Sequence, residues 1–261
     1  MILDEIVTNK KREIESAKSR VPLAHLKKLA EKQTHPLDFI KALQGDGIKL
    51  IAEVKKASPS KGVIRTDFAP LEIARIYAAN GASAISVLTD EKYFQGKLEY
   101  LQNIKKALAG SNIPLLRKDF IIDSYQVYES RVYGADAILL IVAILSQEQI
   151  KELLNLSHQL GMACLVEVHN ETELRTVLQT DARAIGINNR DLTTMTVDIQ
   201  TTARLRPMIP AGRLVVSESG IKTRNHMLMI ESLGVDAVLV GETLMESVDI
   251  AGKMKELLGQ G

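Results

Sequence analysis

"AILLIVAIL", residues 137–145, is an unbroken run of nine apolar residues. It is less than half the roughly 20 residues needed to cross a bilayer. It also lacks the apolar/polar alternation of a strand with one wet face. A short continuous run of Ile, Val and Leu suits a parallel strand buried on both faces. The same signature recurs in "IKLIAEV" from 48, "SAISVL" from 83, "IPLLRK" from 113, "MACLVEV" from 162, "AIGIN" from 184, "RLVVSES" from 213 and "DAVLVG" from 236, which with the opening run, "DAILLIV" from 136, makes eight. Segments with helical spacing lie between the runs, among them "PLEIARIYAANGA", "SQEQIKELLNLSHQLG" and "TRNHMLMIESLGVDA". Gly81, Gly134 and Gly234 close such segments just before the next run, which is helix-ending chemistry feeding a strand. Eight β-then-α units point to a (β/α)8 TIM barrel, a fold that commonly takes about 250 residues as one unit. An open doubly wound sheet would carry a GxGxxG turn after its first strand; "KKASPSKG", residues 55–62, stands there instead. Two further helical patterns, "ILDEIVTNKKREIESAK" and "PLDFIKALQ", precede the first run. We read residues 1–46 as an N-terminal helical cap on a single domain spanning residues 1–261.

The totals narrow the function. Apolar residues are 46% and charged residues 25% of the 261, so a large core is available. Lys plus Arg number 33 against 32 Asp plus Glu, a formal charge of +1, which argues against a nucleic-acid or other polyanion partner. Any anion must be met locally. The single cysteine, Cys164, sits inside an apolar run and reads as a small buried hydrophobe in a reducing compartment. The first residues carry acids where a signal peptide needs bases. A cytoplasmic protein without membrane spans is the expectation.

In an α/β barrel the loops after the strands share one rim, and active sites of the fold sit there. Glu53 and Lys55 follow the first run, Lys118 and Asp119 the third, and Glu167 the fifth. Asn188, Asn189 and Arg190 follow the sixth, and Glu218 and Ser219 the seventh. One such residue reads as a solvated strand end; polar groups at five strand ends read as a site. "SESGI" and "VGETL" add Gly220 and Gly241 after the last two runs. Backbone N–H groups there approach an anion closely, and a helix start after the eighth run adds its positive end. Tight turns are the bland alternative for these glycines, but their place after strands seven and eight favours phosphate.

Together "IAEVKKASPSKG", "EKYFQG", "LLRKDFIID", "LLIVAIL", "LVEVHN", "GINNRDL", "SESGI" and "VGETL" resemble the indole-3-glycerol phosphate synthase family, in order and across essentially the whole chain. Single motifs such as "SESGI" occur in other phosphate-binding barrels, whereas the set is specific. The resemblance implies a lyase of tryptophan biosynthesis. Its substrate would be 1-(o-carboxyphenylamino)-1-deoxyribulose 5-phosphate and its products indole-3-glycerol phosphate, carbon dioxide and water, with no metal and no cofactor. It implies Lys118 as the acid that closes the ring, and Lys55 with Glu53, and Glu167, for the dehydration. Glu218 would orient Lys118 or Lys55. Arg190 with Lys55 would grip the benzoate, while Asn188 and Ser219 hold hydroxyl groups. Ser58, Gly220, Gly241 and the backbone of Glu242 would meet the phosphate. Phe94, Phe120, Leu139 and Leu192 would form the apolar slot for the anthranilate ring. A monomer is expected, with association among tryptophan-pathway enzymes open to it.

Three points are conditional. A lysine suits acid catalysis if burial or neighbouring cations lower its pKa, and Arg117 and Lys55 are the candidates here. Glu242 stands where many relatives carry a small or hydroxylic residue, so its side chain is expected to point away. Some relatives bring an aromatic residue from the N-terminal helix, and this chain has no Trp. The rival readings are another phosphosugar barrel enzyme, such as phosphoribosylanthranilate isomerase, which needs an early Cys and Asp pair where this chain has Glu53 and Lys55, and a non-catalytic or engineered barrel that only binds the phosphosugar.

Overall fold

The computed structural model describes residues 2–260. Eight parallel strands close into a barrel: β1 (Lys49–Val54), β2 (Ala84–Leu88), β3 (Leu115–Lys118), β4 (Ala137–Ile141), β5 (Ala163–Val168), β6 (Ala184–Asn188), β7 (Leu214–Glu218) and β8 (Ala237–Val240), with β8 pairing back onto β1. Each strand falls within one of the apolar runs. The strands are buried almost throughout, because helices cover the outside and side chains fill the inside. Gly81, Gly134 and Gly234 take φ of 90°, 88° and 76°, left-handed helix ends as expected.

Strand alternation builds the interior in layers, each from alternate strands. Ala84, Ala137, Ala184 and Ala237 form one layer, on the even strands. Ile51, Leu116, Leu165 and Val216 lie above them on the odd strands. Ser86, Leu139, Gly186 and Leu239 come next, and then the odd strands present Glu53, Lys118, Glu167 and Glu218. Apart from Ser86, these layers are therefore apolar up to a ring of four charged residues at the C-terminal end.

The N-terminal segment holds three helices rather than two: α1 (Ile2–Arg20), α2 (Leu23–Glu31) and α3 (Phe39–Ala42). Phe39, Ile40 and Leu43 join the interior cluster just ahead of β1. Ile6 of α1 joins the same cluster, with Ile2 and Leu3 packed beside it. The middle of α1 is fixed by charge: Lys10, only 4% exposed, lies 2.9 Å from both Asp90 and Asp119 in the loops after β2 and β3. Burial opposes its charge, but the two carboxylates outweigh it and raise its pKa.

Candidate active site

A cavity of about 430 Å³ opens at the C-terminal ends of the strands, and every residue given a catalytic or binding role from the sequence lines it, whereas Asn189 of the expected rim does not. The charged ring forms its floor. Lys118 Nζ lies 2.9 Å from Glu167 Oε2 and also donates to Glu218 Oε2. Lys55 Nζ lies 2.9 Å from Glu53 Oε1, and Ser86 donates to the other Glu53 oxygen at 3.4 Å. The ring fits only because two neighbours lack side chains. A Cβ on Gly186 would stand 2.3 Å from Glu218 Oε1, and one on Gly241 would stand 2.3 Å from Glu53 Oε1. Gly241 thus makes room for a carboxylate, a role distinct from its expected one at a phosphate.

The electrostatics differ from the expectation for Lys118. Burial lowers its affinity for a proton, but Glu167, Glu218 and Glu53 more than reverse this, and its pKa is raised. Arg117 does not help to lower it, because strand alternation turns it outward to Asp119, Glu129 and Ser130. The two carboxylates around Lys118 diverge. Burial and the neighbouring charges of Glu167 and Glu53 push Glu218 up to about 7 despite Lys118. Glu167 is held well below the usual carboxylate range: Lys118 and His169 overcome its burial.

The upper wall divides into a polar and an apolar side. Asn188 Oδ1 accepts from Ser219 Oγ at 2.9 Å and from Arg190 N at 3.0 Å. Asn189, also on the expected rim, instead faces Ser217 and Thr202 behind the strands. Ser219 and Gly220 both take positive φ, 68° and 84°; Ser219 is held there at a cost of order 1 kcal/mol, a mark of functional sites. Ser58 sits in a short hairpin, Ala57–Ser58 with Gly62–Val63, that lies over the cavity. Glu242 opens α12 (Glu242–Glu246), and its side chain does not point away as expected. Its carboxylate bridges Lys61 at 2.8 Å and Arg190 at 3.4 Å. Two cations at the cavity edge draw it in. On the apolar side, the Phe94 and Phe120 rings lie 6.1 Å apart and pack with Leu139 and Leu192.

Several lining residues escaped the sequence reading. Ile2, Leu3 and Ile6 of α1 stand in the wall, which answers the missing aromatic with aliphatic contacts. Leu239 continues the inward alternation of β8, and Met195, Val197 and Ile199 come from the loop after β6. Lys10 was signalled by the four-residue spacing of Ile6, Lys10 and Ile14, the buried stripe of α1.

The model of the family described as Indole-3-glycerol phosphate synthase matches residues 3–257. A protein of that name from Dehalococcoides mccartyi (strain CBDB1) is 60% identical over 259 residues, covering 99% of this chain and 100% of that protein. One from Roseiflexus sp. (strain RS-1) is 52% identical, covering 99% and 98%. Among solved structures, 3-hexulose-6-phosphate synthase from Salmonella typhimurium superposes with a TM-score of 0.66 at 13% identity, covering 81% of this chain and 97% of that one. Thiamine phosphate pyrophosphorylase from Pyrococcus furiosus gives 0.60 at 16% identity, covering 80% and 93%. At such identities the likeness is one of fold.

Proposed function

The chain belongs to the indole-3-glycerol phosphate synthase family, and from that premise we infer how its residues divide the reaction. The enzyme is a carboxy-lyase of tryptophan biosynthesis: it closes the indole ring of 1-(o-carboxyphenylamino)-1-deoxyribulose 5-phosphate with loss of carbon dioxide and water. Neither the isomerase nor a non-catalytic barrel is favoured by this membership.

Ring closure joins the aromatic carbon bearing the carboxylate to the ribulose carbonyl carbon, and the carbonyl oxygen takes a proton. Lys118 gives that proton in our reading. An alkoxide is a stronger base than an amine, so a raised lysine pKa does not forbid the transfer, and the fixed ammonium stabilises the oxyanion as it develops. Arg190 and Lys55 hold the benzoate carboxylate until the carbon–carbon bond to it breaks, whose electrons restore the aromatic ring. Dehydration then removes a proton from the methylene beside nitrogen and the hydroxyl from its neighbour. Glu167 takes the first, and Lys55, paired with Glu53, protonates the second. Ser58, Gly220 and the first turn of α12 hold the phosphate; Phe94, Phe120, Leu139 and Leu192 flank the ring. Within a single domain, α1 of the N-terminal segment serves as the cover of the rim, supported by Ile2, Leu3 and Ile6 in the cavity wall. A cytoplasmic monomer, free to associate with other enzymes of the pathway, completes the proposal.

The observation that carries the reading is Lys118, held between two carboxylates on the cavity floor. Lys118→Ala should lower kcat by at least about a hundredfold while substrate affinity changes little. A kcat within about fivefold of the parent at saturating substrate would place the acid elsewhere.

A further inference from the structure

We propose that His169, held in place by Glu173, is a positioning residue that fixes Glu167 as the proton acceptor of the dehydration step. The inference rests on the reading of Glu167 given above. β5 ends at Val168; alternation turns Glu167 inward and Val168 outward, and His169 follows in the bend that leads to the next helix. The imidazole then lies against its neighbour but one, with Nε2 3.1 Å from Glu167 Oε1. The contact has the distance of an ion pair without the alignment of a hydrogen bond. The opposite oxygen of Glu167, Oε2, holds Lys118 at 2.9 Å. Glu167 is therefore bracketed by two cationic side chains, one on each oxygen.

The imidazole is itself locked. Glu173 Oε2 lies 3.0 Å from His169 Nδ1 and accepts the His169 backbone N–H at 2.8 Å. Glu173 Oε1 accepts from Asn170 Nδ2 at 2.7 Å, and Asn170 Oδ1 caps α9 (Glu171–Leu178) by accepting from Glu173 N at 2.9 Å. Glu173 is thus pinned in the first turn of α9, and a charged ring fills the gap between two carboxylates. The other charges near it are Lys118 beyond Glu167 and Asp191 in the loop after β6. The 3-10 turn Val142–Ile144, packed on α9, carries no titratable group. Burial disfavours a charged imidazole, yet Glu167 and Glu173 raise its pKa to about 10. One carboxylate beside Lys118 is kept ionised for a proton, while the other, Glu218, lies near neutrality; such divergence assigns the two different tasks.

The step balances. The methylene proton passes to Glu167, its bonding pair becomes the ring double bond, the carbon–oxygen bond breaks, and the hydroxyl leaves as water with a proton from Lys55. Solvent then takes the proton from Glu167 and returns one to Lys55.

The test uses substrate deuterated at that methylene and compares kcat and its isotope effect in the parent, His169→Gln and Glu173→Gln. A mispositioned Glu167 slows the proton removal itself. Both variants should lose roughly tenfold in kcat, as supporting residues of a site commonly do, with KM nearly unchanged. The isotope effect should exceed unity and be at least as large as in the parent. Glu173→Gln leaves the cavity wall intact, so it reports even if the histidine variant folds poorly. An unchanged kcat, or a lower kcat with a smaller isotope effect, would overturn the inference, since general damage makes other steps limiting. Glu167→Gln separates the two levels. If it keeps activity within about fivefold, the reading of Glu167 falls and the inference with it. If it is inactive while the His169 and Glu173 variants are normal, the inference alone falls.

Discussion

Gly186 has no chemistry of its own, and for that reason Gly186→Ala probes the ring cleanly. The added methyl would stand 2.3 Å from Glu218 Oε1 and 3.4 Å from Leu165 Cδ1, so the glutamate must yield. Ordinary contact begins near 3.4 Å, which asks the carboxylate oxygen to retreat by about 1 Å. Among the described residues Glu218 Oε1 makes no hydrogen bond that would resist. The price falls on Oε2, which accepts from Lys118. Displacing a catalytic group by about 1 Å can slow a reaction by roughly a hundredfold. Overpacking a well-filled interior costs about 1–3 kcal/mol, a few degrees of Tm in a chain of this size. The expected result is a folded enzyme with kcat lower by about thirty- to a hundredfold and with phosphate affinity retained. Indole fluorescence provides the assay, because the chain contains no Trp to raise the background. A kcat within about threefold of the parent would show that the place of Glu218 beside Lys118 does not limit turnover, and the account of the ring would fail.

Glu242→Gln should release Arg190 from an internal anion, leave Lys61 to Glu246 alone and remove a negative charge from the phosphate side, so inorganic phosphate should inhibit about three- to fivefold more strongly; weaker inhibition would reverse the role given to Glu242. Lys10→Met should destabilise the protein by about 3–5 kcal/mol near neutrality, the loss expected when one partner of a buried ion pair is removed, and should raise KM, since α1 carries Ile2, Leu3 and Ile6 into the wall. Lys10 lowers the pKa of both Asp90 and Asp119, so its removal shifts both upward from their values in the parent, and the deficit is present above the shifted values and shrinks as pH falls through them. Urea melts at neutral and acid pH check this, and a deficit equal at both would refute it.

The contrast between Arg117 and Lys118 shows what a sequence discloses and where it stops. Parallel strands buried on both faces read as unbroken apolar runs, so the barrel was legible, and polar residues at five run ends disclosed the rim. Alternation within "LLRKDF" already places Arg117 and Lys118 on opposite faces of β3, so an inward Arg117 contradicted a rule the sequence itself obeys. α2 was harder to see: "LAHLKKLAE" is short and Lys-rich, and its helix is settled by packing against α7 (Ser124–Val132), a long-range contact. The same limit governs the site. Glu53, Glu167 and Glu218 look alike as strand-end carboxylates, and nothing in their flanking residues ranks their proton affinities. The ranking comes from partners on other elements: Lys118 of β3 beside two of them, and Glu173 of α9 holding His169 on one. Two carboxylates on one lysine would otherwise share a proton between them. The imidazole breaks that symmetry by placing a second cation on Glu167 alone, so the chemical asymmetry of the ring arises outside it.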